Sequence, residues 1–271
     1  MNGSNGVEAA YLQVGGSLAF VEQSGAGIPV LCLHTAGQSG VQWRHVTGEL
    51  AALGYRPVVP DLPGHGRSEP AVGGPVTDLG IYAAWCVELI ELLGLEQPFV
   101  VGCSIGGKIA LDIARRIPDR LSGVVAMAAD AWTGGRPSVR GLRRELSDVA
   151  APSRSDRTYL GTLAVVGQAI SPQRAELIAT MHRREDPAVS LSDLIAWATH
   201  DLRAELPSIS APTLLIIRRG SPTYDPGHGE FLAQNLTDVV VERQHDINEP
   251  WWIGDTNFII AAFERFLRPA T

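Results

Sequence analysis

Lysine is nearly absent from this chain. Of 22 cationic side chains only Lys108 is a lysine, and the others are arginine; we read that bias as genome-level codon usage rather than chemistry. Cysteine is scarce as well. Cys32, Cys86 and Cys103 are widely spaced and form neither a C-x-x-C pair nor a zinc-ligand pattern, which excludes a disulfide framework and makes cytosolic thiols the default. No apolar run approaches the roughly 20 residues of a membrane-spanning helix. The first stretch, "MNGSNGVEAAYLQ", lacks a basic n-region and an apolar h-region, so no signal peptide is expected and the cytoplasm is the expected location. Excess positive charge is also missing. The formal net charge of −7 argues against nucleic acid and anionic membrane surfaces as partners. There is no internal repeat and no low-complexity tail.

The composition that remains, 45% apolar and 19% charged over 271 residues, is that of a soluble globular protein with a large core. "YLQVGGSLAFVEQ" (11–23) alternates and breaks at Gly15-Gly16, which predicts an antiparallel hairpin. "PVLCLH" (29–34) is a continuous apolar run of the buried parallel type. "VQWRHVTGELAAL" has helical spacing and stops at Gly54. "RPVVP" predicts a strand and "DLPGHGRS" the loop after it. "TDLGIYAAWCVELIELLG" predicts a helix with Thr77 as N-cap and Gly94 as C-cap. The strand "PFVVGCS", the helix "IGGKIALDIARRIP" and the strand "LSGVVAMAAD" follow. This alternation predicts an α/β fold, a mostly parallel central sheet with helices on both faces.

After Asp130 the rhythm breaks. Residues 131–210 carry helical stretches and no convincing strand, as expected of a helical insertion. Alternation resumes with "PTLLIIRRG", "GHGEFLAQNL", "DVVVERQ" and the closing "WWIGDTNFIIAAFERFL". The expected organisation is a core of 1–130 and 211–271 interrupted by the insertion.

Gly102-Cys103-Ser104-Ile105-Gly106 fits G-x-S-x-G between an apolar strand and a helix. In that context the tight turn needs the glycines, exposes the serine hydroxyl above the sheet and sets it at a helix N-terminus. Ser104 is therefore the candidate nucleophile.

These stretches, with "LHTAGQSGVQW", "PDLPGHGRS" and "RQHDINEPWW", resemble the α/β-hydrolase fold family over nearly the whole chain. The resemblance implies an oxyanion hole from the N–H groups of Ile105 and Ala36. Thr35 stands where the family usually has glycine, either propping the loop or adding a hydroxyl to the pocket. His34 is expected to hold that loop.

Among seven histidines, His245 follows the last strand, stands over the carboxyl end of the sheet and fits the chain order of the triad, so it is the candidate base. The family's usual acid position, in "RRGSPTYDP", holds Ser221, which cannot carry the charge. Asp130, at the end of the predicted sixth strand, is the favoured acid, since haloalkane dehalogenases and a fungal-toxin lactonase group carry theirs after this strand; Asp225 is the alternative. The insertion falls where the family keeps its cap, with Trp132 and Trp197 on it as candidate pocket residues beside Trp251.

The expected function is cofactor-free and metal-free hydrolysis of a small-molecule ester or lactone through an acyl-enzyme. The rivals are C–C bond or thioester hydrolysis on the same triad, and a non-catalytic receptor of the same fold. An aspartate at the nucleophile position would have meant dehalogenase or epoxide hydrolase chemistry; serine counts against both.

Overall fold

The computed structural model describes residues 6–133, 143, 156, 159–160, 162–163, 171–218, 226–244 and 256–267. Strands β1 (Val7–Val14) and β2 (Ser17–Ser24) form the predicted antiparallel hairpin. They are followed by β3 (Ile28–Leu33), α1 (Thr47–Ala52), β4 (Tyr55–Pro60), α2 (Leu79–Leu92), β5 (Phe99–Cys103), α3 (Ile105–Arg116) and β6 (Gly123–Met127). Helices α4 (Pro172–Arg184) and α5 (Pro187–Thr199) lie between β6 and β7 (Thr213–Arg218), and the chain closes with α6 (Pro226–Asn235), β8 (Val239–Gln244) and α7 (Thr256–Phe266).

The eight strands form one sheet in the order β1-β2-β4-β3-β5-β6-β7-β8, parallel from β4 through β8. Its central strands β3, β5, β6 and β7 are buried on both faces because alternate side chains feed two cores. Leu31, Leu33, Val100 and Val124 pack with Leu79 and Tyr82 of α2, Ile109 and Ile113 of α3, and Leu232 of α6. Val30, Cys32, Val101 and Val125 pack on the other face with Leu50 of α1 and Phe263 of α7. Burying apolar area on both sides at roughly 25 cal/mol per Å² is what holds such a sheet.

The strand order sets the position of the site. The chain runs from β3 outward to β4, then returns across β3 to β5. The crevice at that reversal lies beyond the carboxyl ends of β3 and β5, which are hydrogen-bonded neighbours with Leu33 opposite Gly102. The loop starting at His34 follows one of these strands and Ser104 follows the other.

Three local expectations are corrected. The helix expected over 41–53 divides into a 3-10 turn at Gly40–Trp43 and the short α1, which leaves His45 in the connection. The N-cap of α2 is Asp78, whose carboxylate accepts from the Gly80 N–H at 2.8 Å, and not Thr77. Strand β6 stops at Met127, and Ala128 takes φ 43°. Asp130 therefore sits in the loop beyond the strand rather than at its last residue. Between β6 and β7 the described residues form helices and contain one isolated bridge, Trp132 with Asp201.

Candidate active site

Strand β5 and helix α3 meet at Ser104, whose backbone adopts φ 54° and ψ −117°. A side chain rarely tolerates this region, and residues held there concentrate at functional sites. Clearance dictates the flanking glycines. A Cβ on Gly102 would run into the Gly106 carbonyl, and one on Gly106 would come within 2.5 Å of the Leu33 carbonyl oxygen. The Ser104 N–H donates to the Met127 carbonyl at 2.9 Å, tying the turn to β6. Ile105 opens α3, ahead of the bond from the Lys108 N–H to the Ser104 carbonyl at 3.1 Å. Its N–H therefore belongs to the electropositive end of the helix.

The loop after β3 is held by His34, which is fully buried. Its Nδ1 lies 2.9 Å from the Thr35 carbonyl and its Nε2 3.0 Å from the Leu62 N–H. A carbonyl only accepts and an amide only donates, so the ring is the neutral Nδ1–H tautomer. Burial, with the neighbouring His65, pushes its pKa down to about 4. Both nitrogens are occupied, and His34 holds the loop, as the sequence leads one to expect. The Thr35 N–H donates to Gln42 Oε1 at 2.9 Å, and the Thr35 carbonyl also accepts from the Gln38 N–H at 3.2 Å. The Ala36 N–H, at the other end of the Thr35–Ala36 peptide, has no acceptor among the described residues.

Asp130 is buried, and its Oδ1 lies 2.6 Å from the Nζ of Lys108, which is itself inaccessible to solvent. The ammonium also donates to Thr133 Oγ1 at 3.0 Å and to the Trp197 carbonyl at 3.2 Å. Burial draws the Lys108 pKa down, and the Asp130 charge only partly offsets it. The other carboxylate oxygen, Oδ2, is 4.0 Å from His228 Nδ1. The His228 ring lies on Trp132 with centroids 4.5 Å apart, and Phe231 meets the same indole edge-on at 4.6 Å.

The structure thus brings Ser104, Ile105, Thr35 and Ala36 to one crevice. It sets Trp132 against α6, and the Trp197 carbonyl against Lys108 and Thr133. His245, Asp225, Ser221 and Trp251 lie outside the described residues. Sequence reasoning missed Lys108, assigning the lysine scarcity to codon usage. The available signal was a lone cation one helical turn after Ser104, in the apolar run "IGGKIAL". Among the described residues no group of His, Cys, Asp or Glu side chains could hold a metal ion, and no helix is long and apolar enough to cross a membrane.

The histidines give a pH prediction. His200 is also pushed down to about 4, by burial and by the Lys108 charge. With ordinary values of 6.5 in the unfolded chain, His34 and His200 cost nothing above that pH. Between pH 6.5 and about 4 the unfolded chain binds protons that the folded one refuses, at about 1.4 kcal/mol per pH unit and group. His65 behaves oppositely. Burial alone would lower its pKa, but the Asp193 carboxylate raises it above 6.5, so its contribution is complete below 6.5 and is lost as pH rises through the folded value. Urea unfolding at pH 6.5 and pH 5.0 should show a loss of about 2–3 kcal/mol at the lower pH. An unchanged unfolding free energy would contradict the neutral assignments.

Comparison with known proteins agrees with this fold. The model of the alpha/beta hydrolase fold matches residues 28–249. The pimeloyl-[acyl-carrier protein] methyl ester esterase of Aeromonas hydrophila subsp. hydrophila is 30% identical over 212 residues, covering 73% of this chain and 79% of that protein. An epoxide hydrolase of Caballeronia sordidicola is 27% identical over 197 residues, covering 72% of this chain and 54% of that one. The enol-lactonase structure from Burkholderia xenovorans LB400 superposes with a TM-score of 0.80 at 20% identity, over 95% of this chain and 99% of that one. The chain belongs to the α/β-hydrolase fold family.

Proposed function

We propose that this protein is a serine hydrolase that cleaves a carboxylic ester or lactone through an acyl-enzyme, with no cofactor. The observation that carries the reading is Ser104, in a left-handed backbone conformation at the β5–α3 junction, next to a loop whose Ala36 N–H has no acceptor among the described residues. Strain and an unspent donor at the same crevice are the marks of a site built for an anion that forms during reaction.

Ser104 Oγ attacks the carbonyl carbon as His245 takes its proton. The carbonyl oxygen becomes an oxyanion facing the N–H groups of Ala36 and Ile105, each worth about 3 kcal/mol to the transition state. Collapse expels the alcohol, protonated by His245, and leaves the acyl group on Ser104. Water, deprotonated by His245, then releases the acid. Asp130 orients the imidazole, and the segment 131–210 acts as a cap over the crevice. The methyl ester esterase and the enol-lactonase named above support the choice of ester or lactone. Serine at the nucleophile position sets the chain apart from the epoxide chemistry of the other relative.

A panel of p-nitrophenyl esters of graded chain length, run beside a lactone panel, tests the reading. A fluorophosphonate probe should label the wild type at Ser104 alone. A folded protein that takes no label and turns over neither panel would refute hydrolysis and favour a receptor.

A further inference from the structure

The Ala36–Gly37 peptide is gripped at both ends from outside the α/β core. Its carbonyl, on Ala36, lies 3.0 Å from His182 Nε2 on α4. Its N–H, on Gly37, donates to Asp193 Oδ2 on α5 at 3.0 Å. A carbonyl can only accept, so His182 carries its proton on Nε2. The Thr162 hydroxyl then donates to Nδ1, at 2.5 Å, and fixes the ring.

Asp193 is fully buried and equally constrained. Its Oδ2 also faces His65 Nε2 at 2.8 Å, and its Oδ1 accepts from the Tyr82 hydroxyl at 2.9 Å. His65 Nδ1 faces the Pro63 carbonyl at 3.2 Å. Both His65 nitrogens meet acceptors, so the ring is an imidazolium paired with the Asp193 carboxylate. The fit around the peptide is close. A Cβ on Gly37, where φ is +58°, would collide with Ser190 Oγ of α5 and come within 3.3 Å of His182 Nε2.

We propose that His182 and Asp193 are positioning residues for the oxyanion hole, holding the Ala36–Gly37 peptide from its two ends so that the Ala36 N–H is aimed at the reacting carbonyl. This rests on the assignment of that N–H as an oxyanion donor in the proposed function. The physical reason is the planarity of the peptide unit. A bond at the carbonyl end and another at the N–H end remove its freedom to rotate about the line joining its two α-carbons. On the other side of Ala36, His34 holds the Thr35 carbonyl. Ala36 thus sits between two fixed planes, and its own N–H direction is set. The helical segment is therefore more than a cover: unless α4 and α5 are seated, the donor is not aligned.

The test uses His182→Ala in the full chain, with p-nitrophenyl acetate as a substrate too small to need an acyl pocket. The expected result is a 10- to 100-fold fall in kcat, within the effect of losing one oxyanion donor, and a KM within about twofold of wild type. The affinity of a trifluoromethyl ketone, which adds to the serine and presents an oxyanion, should fall by the same factor as kcat. His182→Gln retains an N–H donor for the Ala36 carbonyl and should recover kcat to within about threefold of wild type. Hydrogen exchange of the Gly37 amide should accelerate at least tenfold in His182→Ala, a readout independent of turnover. A folded His182→Ala with wild-type kcat and unchanged ketone affinity, beside an active wild type and an inactive Ser104→Ala, overturns the positioning role and leaves the hydrolase reading standing. A wild type that neither hydrolyses esters nor takes the fluorophosphonate label overturns both.

Discussion

Ser104→Ala is expected to lower ester turnover by at least about 10⁴-fold while leaving the fold intact. Removing a triad nucleophile forfeits covalent catalysis and leaves only what the oxyanion donors and binding supply. The stability half of this expectation comes from the structure. The Ser104 hydroxyl makes no hydrogen bond among the described residues, and its backbone N–H bond to Met127 survives any side chain. Alanine meets the same φ of 54° with the same β-carbon, so the strain is unchanged. Melting temperature and urea midpoint should stay near wild type, within about 0.5 kcal/mol. A variant that melts well below wild type would show that the hydroxyl is structural, and turnover by a stable Ser104→Ala would remove the serine from the mechanism.

Asp130→Asn carries the second large effect, and here the structure changes what the sequence leads one to expect. From sequence, the substitution keeps the shape of the acid and removes only its charge, so kcat should fall by ~10²–10⁴ with a smaller change in KM. Lys108 adds a cost. With Asp130 neutral, a buried ammonium 2.6 Å away loses its counter-charge, and breaking one side of such a pair costs about 3–5 kcal/mol. The single variant should therefore be both slow and unstable. The double variant Lys108→Met/Asp130→Asn separates the two roles. It removes both charges, and replacing a buried ion pair with uncharged groups is often close to neutral, so stability should return. If Asp130 orients His245, kcat should stay low. Recovery of kcat together with stability would make Asp130 a structural partner of Lys108 and move the search for the acid to Asp225→Asn.

Much of the fold was legible because its signals are local. The Gly15-Gly16 break, the continuous apolar runs at 29–33 and 99–103, and the glycines around Ser104 each report the conformation of a few neighbouring residues. The misplaced N-cap of α2 and the divided helix at 40–52 are boundary matters, decided by which side chain reaches a free amide. Lys108 was a different kind of miss. Composition counts residues without their surroundings, and the one lysine proved to be among the most deeply buried charges in the protein.

The sequence by itself determined the layered α/β architecture and the strand–turn–helix that carries Ser104, because periodicity and turn chemistry act over one or two turns of chain. Only the tertiary structure decided that Asp193 reaches Gly37 across 156 residues, that His182 reaches Ala36 across 146, and that Lys108 neutralises Asp130. These contacts join buried polar groups from distant segments. Burial makes each such group find a partner, and which partner it finds is set by how the helices between β6 and β7 come to rest on the loops at the carboxyl end of the sheet.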